Sequence, residues 1–504
     1  MSDVRETVLE LRAFTLALRG PEHGRTILER VDLVVPAGGL YLLVGPSGAG
    51  KSTLLRLLLG LFEVREPAPQ VSGVCLLLGE DLTRGYPQAL RGRVGAVLQD
   101  EGLLDELSPR ANVEFALQAR GRSEKLALGL LAQAGIAEPP ERVTELSGGM
   151  RKRVAIARAL ASEPELFLFD EPTAGLDPPA AREMATLLRD TLARPGGRGR
   201  ATAVVVTHDL EAFAELADGI LHLDPATRGL GLHTPAAGWR RRAEAGPHAG
   251  RGAGDALHGA RRFLLELAAL AETLAEAVLR LPPVFLRQTV AQSLRFLVEP
   301  ALFVLTACAT VGGLATYFAV RNNPLQGAFV PELLTGAGKV LVAALVPLVA
   351  AIFFTARMAA GAAARIGTMR RTNQVAALQL LGVRPADYLL TPLTWAMAIS
   401  LPVLTLGGVV GAAYASFVAA WLVHGIGFAA WVQAFGAALG PEDLRYGLAK
   451  ALVSGLLVAW LTWHLAMAPK PSGHAVGEAV NRSIVLGLFA VLLVHALWTL
   501  AQFG

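Results

Sequence analysis

The sequence has only two cysteines, which excludes two common ways of stabilising or equipping a protein. Cys75 and Cys308 stand alone, one in each half of the chain, and neither has a second cysteine at the spacing of metal ligands. A disulfide framework requires several paired cysteines, and a zinc site requires clustered cysteine or histidine ligands. We therefore expect neither a disulfide scaffold nor a zinc centre.

Charged residues are also scarce, at 17% of the sequence, whereas hydrophobic residues make up 53%. The charge is nevertheless plentiful in the first half of the chain. With 504 residues the chain is too long for one ordinary domain, so two or three folding units are expected. Together these features predict a soluble domain joined to a membrane domain.

The start of the sequence, MSDVRETVLELRAF, lacks the apolar core of a signal peptide, so the first domain is expected to stay in the cytosol. The net charge of +4 is compatible with nucleic-acid binding. Arginines on cytoplasmic loops and contact with anionic lipid head groups explain this charge better, and we expect no nucleic-acid partner.

Residues 1–225 alternate short apolar runs with helical stretches, a pattern typical of an α/β sheet with crossover helices. The runs at 41–45, 166–170 and 202–208 are predicted to be buried parallel strands. Residues 226–260 are rich in glycine, alanine and arginine, which is typical of a linker. The remaining residues, 261–504, form the predicted membrane domain.

The membrane domain is predicted to be all-α, with five spans and a preceding helix. Apolar residues recur at helical spacing from Phe263 to Leu281, and the position of this helix before the first span favours the membrane interface over ordinary packing. The apolar blocks give five spans, or six if the block at 388–423 is divided. Five spans put the basic loop at 357–384 on the cytosolic side, as the positive-inside rule requires.

The polar residues visible inside the apolar blocks are few: His464, His495, Thr306 and Thr310. An ionisable group in a span is a functional candidate, and a hydrogen bond between helices is the structural alternative. No pathway for a charged substrate is indicated, which suits an apolar or amphiphilic cargo.

The stretch GPSGAGKST directly follows an apolar run and fits the pattern G-x-x-x-x-G-K-[ST]. Its glycines let backbone N–H groups turn toward a phosphate at a helix N-terminus, whose dipole favours anions. Lys51 is expected to reach the β- and γ-phosphates, and Ser52 to bind Mg²⁺. The strand before the loop and the helix after it argue against a chance match. The predicted nucleotide-binding residues of this loop are Gly45, Ser47, Gly48, Gly50, Lys51, Ser52 and Thr53.

The run LFLFDEP ends a predicted strand in Asp170, which is expected to hold Mg²⁺ directly or in its second shell. Glu171 beside it is placed to polarise the attacking water, and His208 at the end of VVVTH to contact the γ-phosphate. Glu171 and His208 are therefore the predicted catalytic residues. The alternatives are a helix-capping pair at Asp170 and Glu171 and a structural role for the histidine.

The run LSGGMRKRVAIARAL opens a predicted helix at Ser147, Gly148 and Gly149, with its N-terminus free for a phosphate that its own P-loop does not hold. Together with Gln99 and Asp177, these motifs make residues 1–225 resemble an ABC-type ATPase.

The resemblance implies ATP and Mg²⁺ as cofactors and a head-to-tail dimer. Each ATP would lie between Lys51 of one chain and Ser147 of the partner subunit. Gln99 would ligate Mg²⁺ and sense the membrane domain, and Asp177 would couple the two sites. The family usually stacks an aromatic residue on adenine, whereas the matching position here holds Leu18, with Phe14 upstream of it.

The basic loop between the second and third spans resembles MlaE-type permeases of lipid-trafficking ABC systems. The matching residues are Gly367-Thr368-Met369, Thr372, Gln374, Ala377-Leu378, Gly382, Pro385, Tyr388-Leu389 and Pro392. Two further runs, LRYGLAKALVSGLL and SGHAVGEAVNRSIV, continue the resemblance across most of residues 285–504. Such permeases form homodimers in the bacterial inner membrane, move phospholipids or related lipids, and dock on an MCE-domain protein outside that membrane.

The resemblance also implies a cytoplasmic coupling element from Arg365 to Leu380 that meets the ATPase near Gln99. Its predicted members are Arg365, Gly367, Thr368, Arg371 and Gln374. Three acidic positions of the family are changed in this chain. Arg365 and Asn373 replace acidic residues of the ELGTM and TEQ patterns, and the segment before Pro347 reads Ala343-Ala344-Leu345 instead of REL.

The sequence therefore predicts an ATP-driven lipid transporter in which ATPase and permease are fused and work as a homodimer. Two alternatives stay open: an exporter of another small hydrophobic compound, and a membrane-anchored regulatory ATPase that moves nothing.

Overall fold

The computed structural model describes residues 7–18, 25–62, 69–192, 200–234, 285–321, 330–470 and 472–503. The chain forms two compact units. The first contains Met1–His258 together with Thr372–Arg384, and the second contains Gly259–Arg371 and Pro385–Gly504. The predicted interfacial helix at 263–281 and most of the predicted linker lie outside the described residues.

The centre of the first unit is a six-stranded sheet in the order β10-β9-β3-β8-β7-β6. Its strands are β3 (Leu40–Val44), β6 (Val94–Val97), β7 (Leu166–Asp170), β8 (Thr202–Val206), β9 (Gly219–Asp224) and β10 (Gly229–His233). All neighbouring strands are parallel except β9 and β10. The three buried parallel strands predicted from the sequence are confirmed as β3, β7 and β8.

Strand β3 sends alternate side chains into two different cores. Leu40, Leu42 and Val44 of β3 belong to one buried cluster, whereas Tyr41 and Leu43 belong to the other. Because successive side chains of a strand point to opposite faces, a sheet covered on both faces needs apolar residues at every position. The strands therefore appear in the sequence as continuous apolar runs, because both faces of the sheet are covered.

A second, antiparallel sheet covers one of these cores in the order β2-β1-β4-β5. Its strands are β1 (Thr7–Leu18), β2 (Arg25–Pro36), β4 (Pro69–Leu77) and β5 (Glu80–Asp81). The longer helices of the first 234 residues are α1 (Lys51–Leu59), α2 (Pro109–Ala119), α3 (Ala127–Gln133), α4 (Gly148–Leu160) and α5 (Pro178–Thr191). The helices expected after the P-loop and at the signature glycines are thus present.

The sheet continues beyond the predicted domain end at residue 225. Strand β10 pairs with β9 through a tight turn in which Asp224 accepts hydrogen bonds from the Ala226 N–H and the Thr227 hydroxyl, at 2.9 Å each. The linker predicted from residue 226 therefore begins later than the composition suggested. A glycine-flanked edge strand carries too few apolar residues to be recognised by its composition.

The second unit is helical. Among the described residues, five helices are long and apolar enough to cross a membrane: Leu286–Arg321, Val330–Arg371, Ala386–His424, Pro441–Ala466 and Gly473–Gln502. We number them as the first to fifth spans. A shorter helix, Phe428–Gly436, follows the third span. The prediction of five spans is confirmed, because the long block at 388–423 forms one continuous helix that passes through Pro402.

Small residues bring the first and third spans into close contact. A Cβ atom on Gly312 would lie 2.6 Å from the carbonyl oxygen of Ala412, and one on Gly408 would lie 2.8 Å from the sulfur of Cys308. The Thr316 hydroxyl donates to the Ser416 hydroxyl over 2.8 Å in the same interface. Close backbone approach and interhelical hydrogen bonds are the usual means of helix association in lipid.

Candidate functional site

Four predicted motifs meet at the carboxyl edge of the six-stranded sheet. The P-loop follows β3, Asp170 ends β7, Gln99 follows β6 and His208 follows β8. These four strands are parallel and lie in the order β3-β8-β7-β6. In open α/β sheets this edge is the position of ligand sites, so the fold collects the motifs into one site.

The P-loop wraps the N-terminus of α1 and depends on its glycines. Gly48 and Gly50 have φ values of +78° and +113°, in the left-handed region that favours glycine. A side chain on Gly50 would overlap the side chain of Ile27. The loop therefore keeps its backbone N–H groups close to a helix N-terminus, which is an anion-binding arrangement.

Lys51 is buried in the loop, and its ammonium group donates to the carbonyl oxygens of Gly45 at 2.7 Å and Pro46 at 3.2 Å. Burial lowers the pKa of Lys51, while the charges of Glu171 and Asp170 act in the opposite direction. Ser52 is exposed and Thr53 is half-buried beside it. The P-loop thus holds the Lys51 ammonium group in a position to bind the phosphates of a nucleotide.

Burial, and next the charge of Glu171, raise the pKa of Asp170 to about 6. Glu171 adopts φ +53°, a left-handed conformation that costs a non-glycine residue about 1–3 kcal/mol. Its backbone N–H donates to the Val206 carbonyl over 2.9 Å, and its Oε1 lies 3.4 Å from Nε2 of His208. The structure thus brings both predicted catalytic residues together, at a strained backbone position.

Lys152 is a residue of this site that the sequence analysis did not single out. It is buried on α4, and its ammonium group donates to the carbonyl oxygens of Ala174 and, at 3.5 Å, of Glu171. Burial lowers its pKa, and the charges of Glu101 and Glu171 oppose that shift. The sequence did contain a signal for Lys152. It is a lysine in the first turns of the signature helix, on the side of that helix that is otherwise buried.

The signature helix α4 begins as predicted. Ser147 is its N-cap, and the serine hydroxyl accepts a hydrogen bond from the Met150 N–H over 3.3 Å. Ser147 and Gly148 are exposed, and a Cβ on Gly148 would meet nothing within 4 Å. Asp177 caps α5 in the same way, accepting from the Ala180 N–H over 2.8 Å. Gln99 is exposed beyond β6.

Part of the predicted coupling element belongs to the first unit. Thr372–Arg384 is assigned there, and its helix, Gln374–Leu380, is hereafter called the coupling helix. Gln374 Nε2 donates to Asp105 Oδ2 over 2.8 Å. At the other end of the helix, the guanidinium groups of Arg91 and Arg120 donate to the carbonyl oxygens of Gln379 at 2.6 Å and Leu380 at 3.2 Å.

The other predicted coupling residues lie in the second unit. Arg365, Gly367, Thr368 and Arg371 belong to the second span, which ends at Arg371. The division falls between Arg371 and Thr372, where the helix of the span stops and Asn373 adopts φ +57°. Gln374 is therefore the one member of the predicted set that lies in the coupling helix.

The loop that follows Gln99 contacts both the coupling helix and the signature helix. Asp105, which accepts from Gln374, also lies 3.7 Å from a guanidinium nitrogen of Arg151 on α4, and Glu101 lies 3.6 Å from another. Arg158, further along α4, donates to the carbonyl oxygens of Gly102 at 2.6 Å and Glu101 at 2.7 Å. The residues just after Gln99 thus hold both helices by charge-assisted hydrogen bonds.

Neither candidate for adenine stacking offers an aromatic face at the surface. Phe14 is fully buried in the core between the two sheets, and Leu18 is a half-buried aliphatic residue at the end of β1. Altered adenine stacking at these two positions stays a prediction.

Comparison with known proteins agrees with this site. The family described as ABC transporter matches residues 28–174. The aliphatic sulfonates import ATP-binding protein SsuB 2 of Burkholderia cenocepacia is 42% identical over 202 residues, which cover 40% of this chain and 69% of that protein. The glutamine transport ATP-binding protein GlnQ of Escherichia coli is 38% identical over 39% of this chain and 81% of that protein. The chain belongs to the ABC transporter family.

Further comparisons cover both halves of this ABC transporter. The family described as Permease MlaE matches residues 290–501, so an ATPase and an MlaE-type permease domain are fused in one chain. An AAA domain family (putative AbiEii toxin, Type IV TA system) matches residues 137–214, within the ATP-binding half. A solved dimeric ATP-binding cassette bound to ADP and Pi is 28% identical over 45% of this chain and 99% of that chain, with a TM-score of 0.39.

This transporter hydrolyses ATP, and the residues of its site fit a magnesium ion. Among the described residues, no group of three or more histidine, cysteine, aspartate or glutamate side chains is arranged to hold a metal by itself. Mg²⁺ is usually held by one or two protein ligands and the substrate phosphates. Ser52, Gln99 and Asp170 are donors of this kind, around a loop shaped for phosphate.

The spans contain a buried cation that the sequence analysis also missed. Lys450 of the fourth span is fully buried, and its ammonium group donates to the carbonyl oxygen of Ala343 at 3.0 Å, to Thr499 at 3.1 Å and to Gln502 at 3.2 Å. Ala343 lies in a π-helical turn, Leu341–Leu345, of the second span. Such a turn disturbs the regular bonding of a helix, and the lysine pairs with the carbonyl there.

The polar residues that the sequence did single out have other surroundings. The hydroxyl groups of Thr306 and Thr310 donate to carbonyl oxygens of their own helix at 2.7 and 2.8 Å. His464 is half-buried in the fourth span, and His495 is buried in the fifth. A lysine inside an apolar block, as in LRYGLAKALVSGLL, was the signal by which Lys450 could have been found.

We expect Lys450→Met to lower the thermal unfolding midpoint of the protein in detergent. The substitution leaves the Ala343 carbonyl, which is buried, and the half-buried Thr499 and Gln502 side chains without the ammonium group. An unsatisfied buried acceptor costs about 1–3 kcal/mol. Lys339→Met, at a half-buried lysine of the second span, is the control and should leave the midpoint nearly unchanged. Equal midpoints for the two variants would contradict a structural role of Lys450.

Proposed function

We propose that this ABC transporter uses ATP to move a phospholipid or a related lipid across or between bacterial membranes, as a homodimer in the inner membrane. The observation that carries the proposal is that the coupling helix, from the permease half of the sequence, is part of the ATPase unit. The match of residues 290–501 to the permease MlaE family supports a lipid as cargo. The named relatives match only the ATPase half, so their own substrates do not bear on the cargo.

In the proposed site, Lys51 and the N–H groups of the P-loop hold the phosphates. Asp170, Ser52 and Gln99 supply oxygen ligands for Mg²⁺, which neutralises charge that develops on the phosphates. Glu171 accepts a proton from, or orients, the attacking water, and His208 contacts the γ-phosphate. The exposed N-terminus of α4 at Ser147 completes the site of the partner subunit, and Asp177 couples the two sites.

The coupling helix transmits closure of the two ATPase sites. Gln374 and Arg151 both contact Asp105, so a shift of α4 when the partner subunit's nucleotide binds would move the coupling helix with it. We propose this loop as the element that changes between two arrangements and so couples the two helices. A protein carrying an MCE domain, outside the inner membrane, is the proposed partner that exchanges the lipid.

Vesicles that contain the purified full chain test this proposal. We expect ATP and Mg²⁺ to change the distribution of a fluorescent phospholipid between the leaflets, or its delivery to an added MCE-domain protein. Glu171→Gln protein is the control and should move no lipid. Hydrolysis without any lipid movement would favour the regulatory ATPase, and stimulation of hydrolysis by small hydrophobic compounds but not by lipids would favour the exporter.

A further inference from the structure

A half-open cavity of about 210 Å³ lies within the second unit, between the first and second spans. Its polar lining consists of Gln292, Arg295 and Glu299 from the first span and Arg357 and Arg365 from the second. The ATPase site uses none of these residues. Three arginines and one glutamate around one cavity give it an excess of positive charge.

The single carboxylate of the lining is already engaged. Glu299 forms an ion pair with Arg295, one turn earlier on the same helix. Arg357 is exposed, and it forms no hydrogen bond or ion pair with the residues that the structure describes. The positive charge of the lining arginines is thus only partly neutralised by the other residues of the lining. Guanidinium groups bind phosphate through two parallel hydrogen bonds, so a phosphate-bearing anion is the complementary ligand.

The cavity lies where the second span becomes basic. The apolar run of this span extends through Ala350, Ile352 and Phe354, and the arginines begin directly after it at Arg357. In the orientation that the positive-inside rule gives, this level is the cytoplasmic membrane interface. Phospholipid phosphates are found at this depth, and anionic lipids give the cytoplasmic leaflet a negative surface potential.

The rest of the lining is apolar and points to an amphiphile. Phe296, Met358 and Ile366 are buried side chains that border the cavity beside the arginines. The cavity is smaller than the pockets that enclose a whole drug-sized ligand, whose volumes are about 300–1,000 Å³. A head group with the start of its chains fits such a space, while the acyl chains remain in the bilayer.

We propose that this cavity binds the anionic phosphate head group of a phospholipid from the cytoplasmic leaflet, with Arg357 and Arg365 as its phosphate ligands. The inference deepens the proposed function and rests on it for the membrane orientation of these helices.

Binding of short-chain lipids to the full-length protein in detergent tests the inference. The probes are dioctanoyl-phosphatidylglycerol, which is anionic, dioctanoyl-phosphatidylcholine, which is zwitterionic, and inorganic phosphate. We expect the wild type to bind phosphatidylglycerol more tightly than phosphatidylcholine, because the choline ammonium group adds positive charge beside the arginines. Both lipids carry the phosphate, so Arg357→Gln should weaken both, phosphatidylglycerol by about tenfold or more and phosphatidylcholine by less. Arg287→Gln, at an exposed arginine of the first span outside the cavity, is the matched control and should change neither.

Each result distinguishes the possible sources of the anion. Equal affinity of the wild type for the two lipids, or no effect of Arg357→Gln, would overturn the head-group site. Inorganic phosphate that binds as tightly as phosphatidylglycerol, and loses affinity in Arg357→Gln, would overturn a lipid as the ligand. Arg357→Lys and Arg365→Gln repeat the test if Arg357→Gln does not fold, because the lysine keeps the charge without the planar fork.

The lipid-movement assay separates this inference from the proposed function. If wild-type protein moves no lipid with ATP, the proposed function fails, whereas charge-selective binding at Arg357 would still establish the site. If ATP drives movement of phosphatidylcholine and Arg357→Gln leaves every binding constant unchanged, the proposed function stands and the head-group site fails.

Discussion

Glu171→Gln is expected to reduce ATP hydrolysis by about 100-fold or more, the range associated with removal of a positioned general base. ATP binding should persist, because Lys51 and the glycines of the P-loop are unchanged. The measurement is phosphate release by the full-length protein beside binding of a fluorescent ATP analogue. The amide has nearly the shape of the carboxylate, so it conserves the packing around Asp170 and removes only the basic oxygen.

The geometry around Glu171 indicates that Glu171→Gln lowers hydrolysis by removing a chemical group and not by disturbing the structure. The left-handed backbone at Glu171 is fixed by the hydrogen bond to Val206 and by Lys152 beneath the following turn. These contacts involve backbone atoms and are the same in the glutamine variant. Strain held in this way at a single residue is characteristic of functional sites.

Glu138→Gln is the matched control for this experiment. Glu138 is an exposed glutamate outside the site, so its amide variant should hydrolyse ATP at the wild-type rate. Unchanged hydrolysis in Glu171→Gln would break the assignment of the catalytic base. Mass spectrometry of the lipids that co-purify with Glu171→Gln, with and without ATP, would also show whether the trapped state retains or releases a lipid.

Gly102→Ala is expected to lower the thermal unfolding midpoint and to reduce ATP-driven lipid movement by about tenfold or more. A Cβ at Gly102 would lie 2.7 Å from the carbonyl oxygen of Asn373 and 3.0 Å from the Cβ of Ala377 in the coupling helix. Overpacking of this kind costs about 1–3 kcal/mol, and about 1.4 kcal/mol lowers the equilibrium constant for docking of the coupling helix tenfold. Nucleotide binding should be retained, because the P-loop is unaltered.

Gly121→Ala controls for the backbone conformation. Gly102 and Gly121 have nearly the same left-handed φ, +60° and +64°, but a Cβ on Gly121 would meet nothing within 4 Å. Both variants therefore carry the cost of a left-handed alanine, about 1–2 kcal/mol, and only one also pushes against the coupling helix. Equal unfolding midpoints and equal lipid movement in the two variants would show that the contact at Gly102 transmits nothing.

Much of the ATPase site could be predicted from the sequence because its chemistry is local. GPSGAGKST, LFLFDEP and the signature run each contain a strand end or helix start together with the functional residue. Local propensity and the caps at Ser147 and Asp177 are therefore enough to place these residues on their elements. The edge at which they meet follows from the parallel order of the strands, which the alternation of apolar runs and helices already indicated.

The spans were predictable for a related reason. Hydrocarbon has no hydrogen-bonding groups, so length and hydropathy alone indicate a spanning helix, and the five apolar helices agree with the count made from the loop charges. Hydropathy did not reveal Lys450, because its cost depends on acceptors that other spans bring to it. The edge strand β10 was missed because two of its five residues are glycine and its identity depends on pairing with β9.

By itself, then, the sequence determined the P-loop, the signature helix and the five spans, since each is specified by residues close together in the chain. Only the tertiary structure decided which side chains share a contact over long distances. Gln374 and Asp105 are 269 positions apart, yet their hydrogen bond is one of the contacts between the coupling helix and the rest of the ATPase unit. The arginine cavity and the acceptors of Lys450 likewise exist only where separate helices pack, and no local pattern encodes such packing.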